Sequence, residues 1–151
     1  MSDEARTALL DTMRRAEGHA LLGVLGGIFS EGVDLPGDAL LAAVVVGPSL
    51  PQANLERRLL QEWFQERYEE GFRYAWLVPG LSRVVQAAGR VIRTPEDRGA
   101  VVLVGRRFVQ KDYAAFFPED WSPVRTSDPA GALAGLWSAP PEAGDGAVES
   151  P

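Results

Sequence analysis

Gln86, Arg90 and Arg93, with Gly89 beside Arg90, are the side chains best suited to chemistry in this sequence, and they lie in one stretch, Leu81-Ser-Arg-Val-Val-Gln-Ala-Ala-Gly-Arg-Val-Ile-Arg93. On a helix advancing roughly 100° per residue, these three and Arg83 fall within a wedge of about 80°. Leu81, Val84, Val85, Ala88, Val91 and Ile92 take the other side. The spacing therefore predicts a helix over residues 80–93 that buries an aliphatic face and offers guanidinium forks and an amide on its free face. Planar forks of this kind match phosphate oxygens. Gly89 is costly in a helix interior, about 1 kcal/mol relative to Ala, so close approach of another backbone or of a ligand is expected beside Arg90. The competing reading is a solvated arginine face.

A second stretch supplies complementary groups. The apolar run Ala20-Leu-Leu-Gly-Val-Leu25 reads as a buried strand opening into Gly26-Gly-Ile-Phe-Ser-Glu-Gly-Val-Asp-Leu-Pro-Gly37. Ser30, Glu31 and Asp34 thereby fall in a glycine-rich loop at a strand's end, where open α/β sheets bind ligands. A dinucleotide-binding reading of Gly23, Gly26 and Gly27 fails on spacing and has no ribose-binding acid about 20 residues on.

Ser30-Glu-Gly-Val-Asp34 with Pro36-Gly37, then Gln86-Ala-Ala-Gly-Arg-Val-Ile-Arg93 with Asp97-Arg-Gly99, resembles motifs V and VI of superfamily 2 DNA helicases, closest to the XPD and DinG group. The resemblance extends over residues 18–117, including Leu77-Val-Pro79 and Arg106-Arg-Phe108, with Gly105 where an Asp often stands. It implies that Arg90 and Arg93 are arginine fingers reaching the γ-phosphate of ATP held by a separate first lobe. Gln86, Gly89, Gly32 and Asp34 would belong to the same nucleotide site, with Asp34 touching ribose or steadying the finger helix; a loop-capping Asp is the alternative. Ser30 and the backbone from Gly27 to Gly32 would meet a DNA phosphate, a plain turn being the other reading. Glu31 receives no role. Arg83 shares the arginine face but precedes the motif by a turn and is expected to be dispensable.

Length and composition agree with one lobe. At 151 residues the chain can bury a single core. It contains no cysteine, so it holds neither disulfides nor ligands for the iron–sulfur cluster that XPD-like helicases carry elsewhere. The single His19 has no metal-ligand partners at suitable spacing, and no metal is expected here. No apolar run approaches the roughly 20 residues of a membrane span, and Ser2 to Arg15 is too charged for a signal sequence; a cytoplasmic protein is expected.

The net charge of −6 argues against nucleic-acid binding by bulk electrostatics, but its distribution is uneven. Residues 1–70 hold 12 acids and 6 arginines, whereas residues 71–111 hold 8 bases and 2 acids. The basic block coincides with the arginine stretch. Lys111 is the only lysine, and neither a Gly-Lys-Ser or Gly-Lys-Thr P-loop nor an Asp-Glu-Ala-His box occurs. ATP and Mg²⁺ would thus be held mainly by the missing first lobe. The chain is read as a fragment or truncated product that does not hydrolyse ATP alone.

Positioning these residues requires a helix over 3–16 with Ser2 as N-cap, strands at 20–25, Leu40–Val46 and Ala100–Val104, and a charged helix over Asn54–Glu70 ended by Gly71. Together they predict an α/β, RecA-like lobe over 1–121: a largely parallel sheet covered by helices on both faces and incomplete at its N-terminal side. Residues 122–151, rich in Pro, Ala, Gly and acids, are expected to be disordered. Trp63, Phe64, Tyr68, Phe72, Tyr74 and Trp76 are read as core packing in preference to stacking on single-stranded bases. The functional expectation is the C-terminal domain of an ATP-dependent DNA helicase, partnered by single-stranded DNA and an N-terminal lobe. A catalytically silent remnant that docks on another protein through the aromatic helix is the alternative.

Overall fold

Two runs rich in β-branched residues, Ala42–Val46 (β1) and Ala100–Val104 (β2), pair in parallel with Ala42 opposite Ala100 and Val46 opposite Val104. Branched side chains fit the pleated surface, and burial of one face fixes the register. The computed structural model describes residues 2–15, 18–27, 40–92 and 97–138, with residues 3, 6, 14 and 15 described by backbone alone. Among these the sheet has two strands. Residues 20–24 do not form the expected third: they have no strand partner, and Leu22 and Val24 are exposed. Apolar composition does not by itself make a strand, which needs a second segment to satisfy its backbone groups.

The pleat sends Val45 inward and Val44 and Val46 outward. On the inner side Val45 joins Leu77, Leu81, Val84, Phe108 and Tyr113 in the core, against which Leu25, Leu50, Leu103, Phe116 and Phe117 pack. On the outer side Val44 and Val46 are 62% and 78% exposed.

The connection from β1 to β2 carries α2 (Leu55–Tyr68), a π-helical turn (Arg73–Leu77) and α3 (Val78–Ala88); α1 (Asp3–Arg15) precedes β1. Ser2 caps α1 by accepting from Ala5 N–H at 3.3 Å, as its sequence position predicts. Asn54 caps α2, its Oδ1 accepting from Arg57 N–H at 2.8 Å. Helix α2 stops at Glu69, left-handed at φ 59°, and not at Gly71. Gly71 has a different use: a β-carbon there would collide with Gln61 O, so its absence lets the next segment lie against α2.

The π turn has a local cause. Pro79 has no N–H to offer Ala75 O, and the Val78 N–H reaches back five residues to Arg73 O. The carbonyl of fully buried Ala75 is met by Arg57 Nη1 at 3.5 Å, a long bond that supplies the missing donor. Trp76 Nε1 donates to Gln61 Oε1 at 2.8 Å and ties the same segment to α2.

The aromatic residues depart from expectation. No residue of α2 is buried, and Trp63, Tyr68, Phe72 and Tyr74 are each more than 40% exposed. They form a surface cluster: Phe64 stacks on Tyr74 at 5.1 Å, Trp63 meets Phe64 edge-on at 5.0 Å, and the Arg67 guanidinium lies 5.5 Å from the Trp63 ring. Core positions had already been filled by smaller side chains of α3. The core aromatics come later, from the 3₁₀ turn Arg106–Val109 and α4 (Lys111–Ala114): Phe108 and Tyr113, with Phe117 stacked on Trp121 at 5.4 Å.

The chain divides into units Met1–Trp121 and Ser122–Pro151. The second contains a helix, α5 (Pro129–Ser138), where disorder was expected. Asp128 accepts from Gly131 N–H at 2.9 Å and Pro129 opens the helix, a cap and first-turn signal that composition obscured. No residue of α5 is buried.

Candidate nucleotide and nucleic-acid interface

Helix α3 places the arginine stretch, but it is shorter than its periodicity predicts. It ends at Ala88, and the chain tightens: Gly89 N–H still donates to Val85 O, while Arg90 N–H donates to Ala87 O at 3.3 Å and Val91 N–H to Ala88 O at 2.9 Å. Bonds spanning three residues turn the chain by about 120° per residue instead of 100°, so the shared wedge is not continued past Ala88. Gly89 is therefore a C-terminal residue with ordinary φ −64°, and a β-carbon on it would make only ordinary contacts, with Val85 O at 3.5 Å and Gln86 O at 3.9 Å. The close approach expected at Gly89 is found at two other glycines. A β-carbon on Gly80 would lie 2.8 Å from Pro48 O, so α3 starts hard against the loop after β1. One on Gly99 would collide with Val91 Cγ1, so the chain leaving α3 is pinned to the start of β2, where Ala100 N–H donates to Leu41 O at 3.0 Å.

Those contacts hold Arg90. Its neighbours Ala88 and Val91 are buried, and Arg90 itself is half-buried at the carboxyl end of α3. Exposed carbonyls and the negative end of the helix dipole favour a cation at that position. Gln86 is exposed one turn earlier. Gly27 is partly buried, with its N–H on Val24 O at 2.9 Å. Arg93, Ser30, Glu31, Gly32 and Asp34 lie outside the described residues.

The structure does bring the two stretches into contact, through a residue to which sequence reasoning gave no role. A β-carbon built on Gly26 would stand 3.2 Å from Cζ and Nε of Arg83. The half-buried Arg83 guanidinium thus rests on the turn that leads into the glycine-rich loop. Ser49 was also missed. It adopts φ 50°, a strained value for a residue with a β-carbon, and its Oγ donates to Leu25 O at 3.4 Å. Gly105, at φ 150°, has a conformation that an Asp would rarely adopt, which accounts for glycine at that place.

Elsewhere, a shallow cavity of about 300 Å³ opens between Gln65, Glu69, Glu70, Gly71 and Asp112. Its lining carries three carboxylates against the one cation of Arg73, a balance that disfavours phosphate, and it includes none of the candidate residues. Glu70 also pairs with Arg73 at 3.2 Å, an exposed bridge of small energetic value. Among the described residues no group of three or more His, Asp or Glu could hold a metal, and no helix is long and apolar enough to cross a membrane.

The chain belongs to the helicase C-terminal domain family, which matches residues 1–124. Its relatives are helicases of the XPD, DinG and YoaA group, and it matches the C-terminal lobe of that group. The ATP-dependent DNA helicase YoaA of Escherichia coli is 34% identical over 120 residues, covering 77% of this chain and 18% of the relative. The XPD/RAD3 helicase subunit of the general transcription and DNA repair factor IIH from Saccharomyces cerevisiae is 32% identical over 117 residues, 72% and 15% of the two chains. The ATP-dependent DNA helicase DinG of Photobacterium profundum is 29% identical over 101 residues, 66% and 14%. The chain spans less than a fifth of the length of these relatives.

Proposed function

We propose that residues 1–121 act as the second motor lobe of an ATP-dependent DNA helicase, working against a first lobe that carries the P-loop and Mg²⁺ site. The observation that carries this reading is the junction of the two motif stretches, with the Gly26–Gly27 turn resting on the helix that presents Gln86 and Arg90. In it, Arg90 and Arg93 approach the γ-phosphate across the cleft as arginine fingers. They stabilise charge on the phosphoryl group being transferred, an effect worth about 10³ to 10⁵ in rate in related NTPases. Gln86, Gly89, Gly32 and Asp34 complete the nucleotide side. Ser30 and the Gly27 backbone contact a phosphate of single-stranded DNA.

The end of α3 fits that role through its side chain: the carbonyls there hold a cation and repel phosphate, so it is the Arg90 guanidinium, and not the Gly89 backbone, that draws the γ-phosphate. ATP supplies the driving force when bound; this chain's part is to orient, to close and to neutralise charge. The exposed outer face of β1 and β2 is covered in the intact enzyme by further elements of the same lobe, completing the sheet on both sides. Residues 122–151 form an accessory tail, and a cytoplasmic location suits this work.

The exposed aromatic cluster on α2 favours a second reading, a catalytically silent module that docks on another protein. One assay separates the two. The purified chain is expected to show no ATPase activity, because fingers without a P-loop touch only the far side of the phosphates. Joined to the first lobe of a related helicase, it is expected to support DNA-stimulated turnover. Turnover by the chain alone would overturn the division of labour, and a silent two-lobed protein would favour the docking module.

A further inference from the structure

Arg83 makes an unusual contact for a helix-borne arginine. Three guanidinium atoms, Cζ, Nε and Nη1, stand 3.2, 3.2 and 3.3 Å from the place a Gly26 β-carbon would occupy, so the group lies flat across that residue. Flat contact with a backbone is something a planar guanidinium can make and an ammonium cannot. Gly26 is suited to receive it twice over: it has no β-carbon in the way, and it holds φ 89°, which side chains resist. Among the described residues, packing on Gly26 is the contact found for the Arg83 guanidinium.

The same turn is fixed on its other sides. Gly27 N–H closes it onto Val24 O, Ser49 Oγ reaches Leu25 O, and the Leu25 side chain packs against the core. Ser49 in turn follows Pro48, whose carbonyl lies under Gly80 at the start of α3. Two independent routes thus run from α3 to the Gly26–Gly27 turn, one through Arg83 and one through the loop after β1.

We propose that Arg83 is a positioning residue that clamps the Gly26–Gly27 turn onto α3, so that a displacement of this turn by DNA at the Gly27 backbone is passed to the helix end that precedes Arg90. The coupling role rests on the function proposed above; the clamp itself does not. Gly26 cannot move far without dislodging the guanidinium or carrying α3 with it.

The clamp is tested in the chain as it stands, by amide hydrogen exchange. Arg83→Ala is expected to speed exchange of the Gly27 amide by at least about tenfold while the Val84 and Val85 amides keep their rates, since only a local opening is released. Arg83→Lys should behave like Arg83→Ala. Gly26→Ala should also speed Gly27 exchange, but alanine resists φ 89° as well as expelling the guanidinium, so Arg83→Ala is the variant that decides. Unchanged Gly27 exchange in Arg83→Ala would overturn the clamp. In the two-lobed enzyme, Arg83→Ala should lower DNA stimulation of ATPase by about fivefold or more, with unstimulated kcat and nucleotide KM held within about twofold. Equal loss of stimulated and unstimulated rates would reduce Arg83 to a structural role. A wild-type two-lobed protein without DNA-stimulated turnover would instead remove the functional reading, leaving exchange to decide the clamp.

Discussion

Replacing Arg93 by Ala in the two-lobed enzyme is expected to lower kcat by at least about 10², with a much smaller change in nucleotide affinity. A finger acts on charge that rearranges in the transition state, so its loss appears in the rate and not in ground-state binding. Arg93→Lys should rescue poorly, because a point charge cannot reproduce bidentate contact with two oxygens. Arg90→Ala should follow the same pattern, and the double variant should be little worse than either single one, since both residues act on one transition state. Arg58→Ala, exposed on α2 and remote from the arginine stretch, is the control and should cost little. Steady-state ATPase with saturating single-stranded DNA measures all five proteins. If Arg93 and Arg58 prove equally dispensable, the stretch is a solvated face.

Leu81→Ala should be the most damaging single truncation among the aliphatic residues of α3. Leu81 and Val84 are fully buried between the sheet and the C-terminal aromatics. Removing a buried leucine to alanine costs about 2 to 5 kcal/mol, transfer and cavity terms together. Small domains hold only about 5 to 15 kcal/mol in all, so a fall in Tm of roughly 8 to 20 °C is expected for a unit of this size. Leu59, 55% exposed on α2, gives the comparison: its alanine variant should stay within about 0.5 kcal/mol of wild type. Thermal denaturation followed by circular dichroism measures both. A loss below about 1 kcal/mol at Leu81 would place the core elsewhere.

Sequence patterns were informative where local chemistry decides. Asn54 and Ser2 announced their helices because capping needs only the next turn, and β2 was bounded correctly because Gly99 and Gly105 bracket a run of apolar residues. They failed where the outcome depends on a distant partner. Residues 20–24 read as a strand by composition, yet pairing is a property of two segments. Aromatic residues of α2 read as core by type, but the space beneath the sheet goes to Leu77, Leu81 and Val84. The helix end is a mixed case: periodicity carried the arginine helix to residue 93, and glycine at 89 was taken for an interior exception when it marks the stop. For the site, residue types and order pointed to phosphate chemistry, but nothing in the linear pattern places Arg83 on Gly26. That contact is a long-range one, and its only local trace is a pair of glycines at the end of an apolar run.

The outward valines of the strand pair set how the isolated lobe behaves in solution. Val44, Val46 and Val104 present adjoining branched side chains on a short parallel sheet that has two strands among the described residues. Two molecules can bury such faces against each other, and what opposes them is mutual repulsion from the net charge, −3 on residues 1–121 and −6 on the whole chain. Because mobile ions screen that repulsion over about 10 Å at 0.1 M, added salt weakens the barrier to self-association while leaving the apolar attraction intact. The chain is therefore expected to stay monomeric in dilute buffers of low ionic strength at neutral pH and to precipitate on acidification toward its pI near 4.8, which light scattering across salt and pH measures.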